Sequence, residues 1–225
     1  MTKIETVSTG AGEARITWHT APEARRVLAL GHGAGGGIEA RDLAALAAAL
    51  PARGVTVALV EQPWRVAGKK VAPAPRTLDT GWRGLWPALA APGLPVVAGG
   101  RSAGARVACR TGAELGAAAV LALSFPLHPP GKPESSRAAE LLSTGLPTLV
   151  VQGGNDPFGR PEEFPGVEGD DAGGRAVSGD GTAYELVGIP YGDHGFAVPK
   201  RAPVDQDATV GRIVEAVGDW LDGLR

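Results

Sequence analysis

Six short apolar runs recur along the chain, each closed by glycine, proline or a polar turn: "RRVLALG", "VTVALVEQP", "LPVVAGG", "AAVLALSFP", "LPTLVVQGG" and "YELVGIP". Continuous apolar runs of this length suit strands covered on both faces. Helical patterns lie between them. "EARDLAALAAALPARG" sets Leu43, Leu46 and Leu50 at helical spacing and ends in Pro51 and Gly54. Residues 76–90 read as a helix made irregular by Gly81, Gly84 and Pro87, and 103–112 as another. "PESSRAAELLST" is a further helix, and "VDQDATVGRIVEAVGDWLDGL" closes the chain with Val210, Ile213, Val217 and Leu221 near one face. Strands alternating with helices require a mostly parallel, twisted sheet with helices on both faces, an α/β fold.

The remaining stretches fit around that sheet. Residues 4–7 and 14–18 flank "TGAGE" as an N-terminal hairpin within residues 1–20. Residues 61–76 carry Pro63, Gly68, Pro73 and Pro75 and read as a loop. Residues 165–182, "PGVEGDDAGGRAVSGDGT", have no apolar period and read as a flexible loop. The expectation is one domain over 1–225, with no insertion long enough for a large cap.

Composition excludes several classes. Lys plus Arg is 22 and Asp plus Glu 24, a formal charge of -2, so neither a nucleic-acid footprint nor a polybasic membrane anchor is expected. No run of about 18 apolar residues suggests a membrane span. The single cysteine, Cys109, has no internal disulfide partner, and the first 20 residues lack a signal-peptide core, so a cytoplasmic location is expected.

Chemistry concentrates where the runs end. "VVAGGRSAGARVA" places Ser102 between an expected strand and helix, with Gly100 and Gly104 two positions to either side. G-x-S-x-G is a weak pattern in a chain with 34 glycines. Its position strengthens it: a sharp strand-to-helix turn exposes the hydroxyl and demands small neighbours. The alternative is a glycine turn with no chemistry.

A serine hydroxyl needs a base, which a carboxylate must orient. His19 lies in the N-terminal strand region, away from the strand carboxyl ends. His32, His128 and His194 each follow a strand, so position alone does not choose among them. Among acids, Asp156 sits just past a strand end in "QGGNDPFG". Asp193 adjoins His194, and a neighbouring carboxylate rarely reaches the adjacent Nδ1. Asp170, Asp171 and Asp180 lie in the stretch read as flexible.

Developing negative charge on an oxygen needs preorganised N–H donors. Ala103, after the serine, supplies one. The loop "GHGAGGG" supplies a second through Ala34, with Gly33 beside it and His32 orienting the loop. A dinucleotide loop is the competing reading. Glu61 is roughly placed for its acid, but no cofactor-domain pattern follows and no G-x-x-x-x-G-K-[ST] is present. No cofactor and no metal are expected.

"GHGAGGG", "GGRSAGAR", "QGGNDPFG" and "GDHGF", in this order from about residue 25 onward, resemble an α/β-hydrolase. "SFPLHPPGKPESSRAAELL" followed by "LPTLVVQGGNDPFG" resembles a small capless subfamily. It includes bacterial dienelactone-hydrolase-like proteins, the hydrolase-like domain of a eukaryotic chromatin-complex subunit, and a testis-expressed relative. The resemblance implies a single-domain α/β-hydrolase fold without a large cap. The family order of serine, acid and histidine then selects Ser102, Asp156 and His194. Dienelactone hydrolases proper use cysteine; here serine stands at that position and Cys109 lies in the following helix.

The resulting expectation is a serine hydrolase acting on a small ester or thioester through an acyl-enzyme. Trp64, Trp82, Phe125, Leu127 and Phe196, with Arg65 and Pro126 nearby, either line a small apolar cleft or, for the Trp and Phe residues, belong to the ordinary core. Arg76 and Arg101 either meet a substrate carboxylate or are solvated. The expected partner is a small acyl substrate, bound by a monomer or weak homodimer. The rival readings are a catalytically silent interaction scaffold and acyl or peroxy-acid transfer by the same three residues.

Overall fold

The apolar runs become neighbouring strands of one sheet. The computed structural model describes residues 2–167, 173–177 and 183–224. Its strands are β1 (Thr2–Thr9), β2 (Gly12–His19), β3 (Arg26–Gly31), β4 (Val55–Glu61), β5 (Val96–Arg101), β6 (Ala119–Leu123), β7 (Thr148–Gly153), β8 (Gly173–Val177) and β9 (Ala183–Ile189). Their order across the sheet is β1-β2-β4-β3-β5-β6-β7-β9-β8. From β4 through β9 every neighbouring pair runs parallel. β1, β2 and β8 extend the two edges antiparallel.

Side-chain alternation along each strand builds two cores. On β3, Val27 and Ala29 point to one face, and Leu28 and Leu30 to the other. The first face is covered by α2 (Pro63–Val66), α3 (Pro75–Ala90), α4 (Ala103–Thr111) and α5 (Ala138–Leu142). The second is covered by α1 (Arg41–Ala49) and α6 (Gln206–Gly223), through Leu43, Leu46, Ile213 and Val217. Each such fully buried aliphatic side chain contributes about 1.5–3 kcal/mol. The family of folds with this two-sided cover is the α/β class that the apolar runs require.

Three segments differ from their sequence-based reading. The stretch 61–76 contains the one-turn helix α2, which starts on Pro63, where a missing N–H is harmless. The helix expected over "PESSRAAELLST" is only Ala138–Leu142. Arg137 is pinned before it, donating its backbone N–H to Leu127 at 2.7 Å and a guanidinium N–H to the Pro126 carbonyl at 2.9 Å. The segment 165–182 is not all loop, because Gly173–Val177 pairs antiparallel with β9. Backbone pairing at a sheet edge needs no apolar period, so the sequence pattern hides it. The rest of that segment beyond Val167, with Asp170, Asp171 and Asp180, lies outside the described residues.

Topology positions the site. The chain crosses from β3 to β4 on one side, then returns to place β5 on the other side of β3. At such a reversal the helices leave in opposite directions and open a crevice above the strand carboxyl ends. The loop after β3 and the turn after β5 both border it.

A polar network locks α3, α4 and α5 together. Arg106 donates to both Glu140 oxygens at 2.6 and 2.8 Å, and Arg110 donates to Glu140 at 3.0 Å. Arg110 also forks onto Asp79 at 2.6 and 3.0 Å. Burial pushes the Glu140 carboxyl up, but the Arg106 and Arg110 guanidiniums outweigh it and hold the group below its ordinary value. A depressed carboxylate contributes stability that is present above its unfolded pKa and lost as pH falls through the folded one. Glu140→Gln should therefore cost about 1–3 kcal/mol at pH 7 by denaturant unfolding. The gap from wild type should close as the pH drops below the ordinary carboxylate range.

Candidate active site

Ser102 occupies the turn between β5 and α4 at φ 53 and ψ -110. A non-glycine residue held there costs on the order of 1–3 kcal/mol. The surroundings impose it. The Ser102 N–H donates to Leu123 at 2.9 Å, and the Ser102 carbonyl accepts from Arg106 at 3.2 Å. A Cβ on Gly100 would lie 2.6 Å from the Gly31 oxygen, and one on Gly104 would run into the Gly31 carbonyl. The first turn of α4 therefore rests directly on the end of β3.

The three residues singled out in sequence meet here. His194 Nε2 lies 2.9 Å from Ser102 Oγ, and His194 Nδ1 lies 2.8 Å from Asp156 Oδ2. With Nδ1–H donating to the carboxylate, Nε2 is left to accept the serine proton. Asp156 is fully buried. A buried carboxylate is tolerable only when its oxygens are bonded. Here Oδ1 accepts from the Phe158 N–H at 2.8 Å, and Oδ2 also accepts from Gln152 Nε2 at 2.9 Å. Gln152 Nε2 is itself fixed by the Gly159 carbonyl at 2.7 Å. The Phe158 ring covers the His194 imidazole at 4.3 Å between centroids.

Asp193 is occupied elsewhere: its Oδ1 accepts from the Gly195 and Ala197 N–H groups at 2.7 and 2.9 Å. His128 is engaged with Glu163 at 2.9 Å and with the Pro129 carbonyl at 2.9 Å. His32 sits in the loop after β3, with Nδ1 2.8 Å from the Gly33 carbonyl and Nε2 accepting from the Gln62 N–H at 3.2 Å. Burial lowers its pKa, which favours the neutral ring these two bonds require. Trp64 packs edge-on against it at 5.4 Å. His32 thus ties the β3 loop to the start of α2.

Gly33 adjoins the serine: a Cβ there would stand 3.4 Å from Ser102 Cβ. Among the described residues, no backbone acceptor takes the N–H of Ala34 or Ala103. Ala103 opens α4, so its N–H also carries the positive end of the helix dipole. Gly33 and the N-terminus of α4 thus border the Ser102 side chain.

The candidate cleft residues are placed differently. Trp82, Phe125, Leu127 and Phe196 are buried among core side chains. Arg76 is exposed on α3. Trp64 alone of the six borders the β3 loop and Ala103, across a small cavity. Arg101 neither awaits a carboxylate substrate nor projects into solvent: it reaches Asp42 at 3.4 Å and donates to the His194 carbonyl at 2.6 Å. Sequence reasoning missed Gln152, Phe158 and Asp42. Only the Gln and Phe, four before and two after Asp156, carry a sequence signal, their proximity to the acid.

A mostly parallel sheet whose strand ends hold a strained serine, a histidine and a buried aspartate defines an α/β-hydrolase fold. Residues 24–222 match the alpha/beta hydrolase domain family, and the chain belongs to it. No curated protein matches the chain in sequence. Among solved structures it is similar to a serine hydrolase without a lid from Xanthomonas campestris, at 18% identity and TM-score 0.71, over 97% of this chain and 94% of that one. It is also similar to a dienelactone hydrolase from Anabaena variabilis, at 19% identity and TM-score 0.71, over 100% and 99%. Est1E from Butyrivibrio proteoclasticus, solved with ferulic acid, is similar at 14% identity and TM-score 0.67, over 97% and 99%. No helix among the described residues is long and apolar enough to cross a membrane.

Two measurements check this geometry. Gly104→Ala should destabilise the fold by about 1–3 kcal/mol in denaturant unfolding, since the added methyl meets backbone that cannot turn aside. The proton between His194 Nδ1 and Asp156 should give an exchange-protected, far-downfield proton NMR signal, absent in Asp156→Ala.

Proposed function

We propose that the protein is a serine hydrolase that cleaves a small ester or thioester through an acyl-enzyme. The unbroken hydrogen-bond chain from Ser102 Oγ through His194 to Asp156 carries this reading. His194 Nε2 takes the hydroxyl proton while Ser102 Oγ attacks the acyl carbon. The carbonyl π electrons move onto oxygen, where the Ala34 and Ala103 N–H groups hold the charge. Collapse expels the alcohol or thiol, which takes its proton from His194. Water, deprotonated by the same nitrogen, then adds to the acyl carbon; the acyl–Oγ bond breaks, the acid leaves, and His194 returns the proton to Ser102 Oγ. Asp156 keeps the imidazole in the needed tautomer and stabilises its charged form. The serine hydrolase without a lid and Est1E, among similar folds, support the reaction class.

The acyl group is short in this reading. Beside Ala103 and Gly33 lies a cavity of about 10 Å³, walled by Trp64, Leu78, Val107 and Ala72. That is about the room of a single water, and it suits a methyl group. Beyond Gln62 and Trp64, which both spaces share, a groove of about 260 Å³ runs to Glu13 and Lys69.

A fluorophosphonate probe should label wild type and leave Ser102→Ala unlabelled; an unlabelled wild type ends the hydrolase reading. Asp156→Asn should lower kcat by about 10³–10⁴-fold. Across a p-nitrophenyl ester series, kcat/KM for acetate should exceed that for octanoate by at least about tenfold, or about 1.4 kcal/mol. A flat or reversed series would remove the short-acyl assignment.

A further inference from the structure

One buried charge pair beside the site has no part in the reaction above. Arg101 precedes the serine and its side chain is 16% exposed; Asp42, in the first turn of α1, is 1% exposed. Arg101 Nε stands 3.4 Å from Asp42 Oδ2, and Nη2 donates to the His194 carbonyl at 2.6 Å. A Cβ on Gly195 would lie 3.4 Å from Nη2, and one on Gly33 would lie 3.8 Å from Nη1. The guanidinium is therefore wedged between the loop bearing His194 and the loop after β3.

This pair is poorly arranged for stability. Two charges taken out of water recover the cost only with good hydrogen bonds. Among the described residues, neither Asp42 oxygen nor Arg101 Nε has a partner of hydrogen-bond geometry. Burial pushes the Asp42 carboxyl above its ordinary value; the Arg101 charge opposes that rise first, followed by the nearby Asp42 and Leu43 N–H groups at the start of α1. An apolar pair of similar volume is often neutral or stabilising at such a place. Among the described residues, the one well-made bond the guanidinium has is to the His194 carbonyl.

That loop needs a tether. Tyr191 and Phe196, on either side of His194, sit at φ 62 and φ 52, in the left-handed region that non-glycine residues avoid. Asp193 braces the far side through Gly195 and Ala197. Arg101 braces the near side, at the His194 carbonyl itself.

We propose that Arg101, held in place by the carboxylate of Asp42, is a positioning residue that sets the reach of His194 to Ser102. The inference rests on reading His194 as the base. It links the turn of Ser102, the start of α1 and the base loop through one side chain. If the carbonyl drifts, the ring drifts with it, and a displacement near 1 Å from the in-line geometry costs up to about 100-fold in rate.

The test compares the full-length wild type with Arg101→Met, the double variant Arg101→Met with Asp42→Leu, and Asp42→Asn. Melting temperature, the rate of fluorophosphonate labelling, and kcat and KM for p-nitrophenyl acetate are measured for each. Arg101→Met alone leaves a buried carboxylate unpaired and should melt lower. The double variant should recover the melting temperature yet label about 10-fold to 100-fold more slowly, with kcat reduced and KM within about twofold. A purely structural pair would recover rate together with stability, and a double variant as fast as wild type overturns the proposal. Should the double variant fail to fold, near-isosteric Asp42→Asn decides: slower labelling at an unchanged melting temperature supports the tether, and the wild-type rate overturns it. A wild type that never labels removes the base role and this inference together, whereas a labelled wild type with fast variants removes the inference alone.

Discussion

The first turn of α4 lies against the end of β3 with no room for a side chain between them. Gly104 meets the Gly31 carbonyl, and Gly100 meets the same oxygen from the strand side. Much of the site's geometry depends on that contact. It forces the chain to reverse within one residue and leaves Ser102 in a backbone conformation that costs energy. It also brings the loop after β3 and the N-terminus of α4 to the same hydroxyl. Because β3 and β5 are neighbours at the reversal of strand order, the crevice opens where these pieces converge.

A second constraint is polar. Asp156 is buried, so every bond to its oxygens matters. Phe158, Gln152 and His194 supply those bonds, and Gln152 is anchored by Gly159. The acid is thereby held by its own turn, while the histidine is held from two sides, by Asp193 through the following N–H groups and by Arg101 at its carbonyl. The proposed chemistry asks little motion of these groups. Its demand is that the positions already be correct when charge develops.

Much of this was legible in the chain itself. The apolar runs specified the strands because a two-sided sheet needs unbroken hydrophobicity, and their spacing left room for only one kind of connection. Ser102, Asp156 and His194 each stood at a strand end, and the structure brings them into one hydrogen-bonded line. The cleft was not legible. Phe125, Leu127 and Phe196 follow strand ends as pocket residues would, yet their side chains, like that of Trp82 within α3, turn into the core. Proximity in sequence to a strand end does not say which way a large side chain points. Gly173–Val177 escaped notice for a related reason, since an edge strand pairs through its backbone and needs no pattern.

The sequence by itself determined the class of fold and narrowed the hydroxyl, acid and base to groups at strand ends, because those follow from periodicity and glycine placement; the resemblance to α/β-hydrolases then chose among three histidines. Only the tertiary structure decided what holds them. Asp42 and Arg101 are 59 positions apart, carry no shared signal in the chain, and become one buried pair. His32, expected to orient its own loop, also reaches the Gln62 N–H and so joins that loop to the start of α2. Such roles arise from packing across distant elements, where burial turns an ordinary charge or ring into a constraint, and no local pattern in the chain encodes that burial.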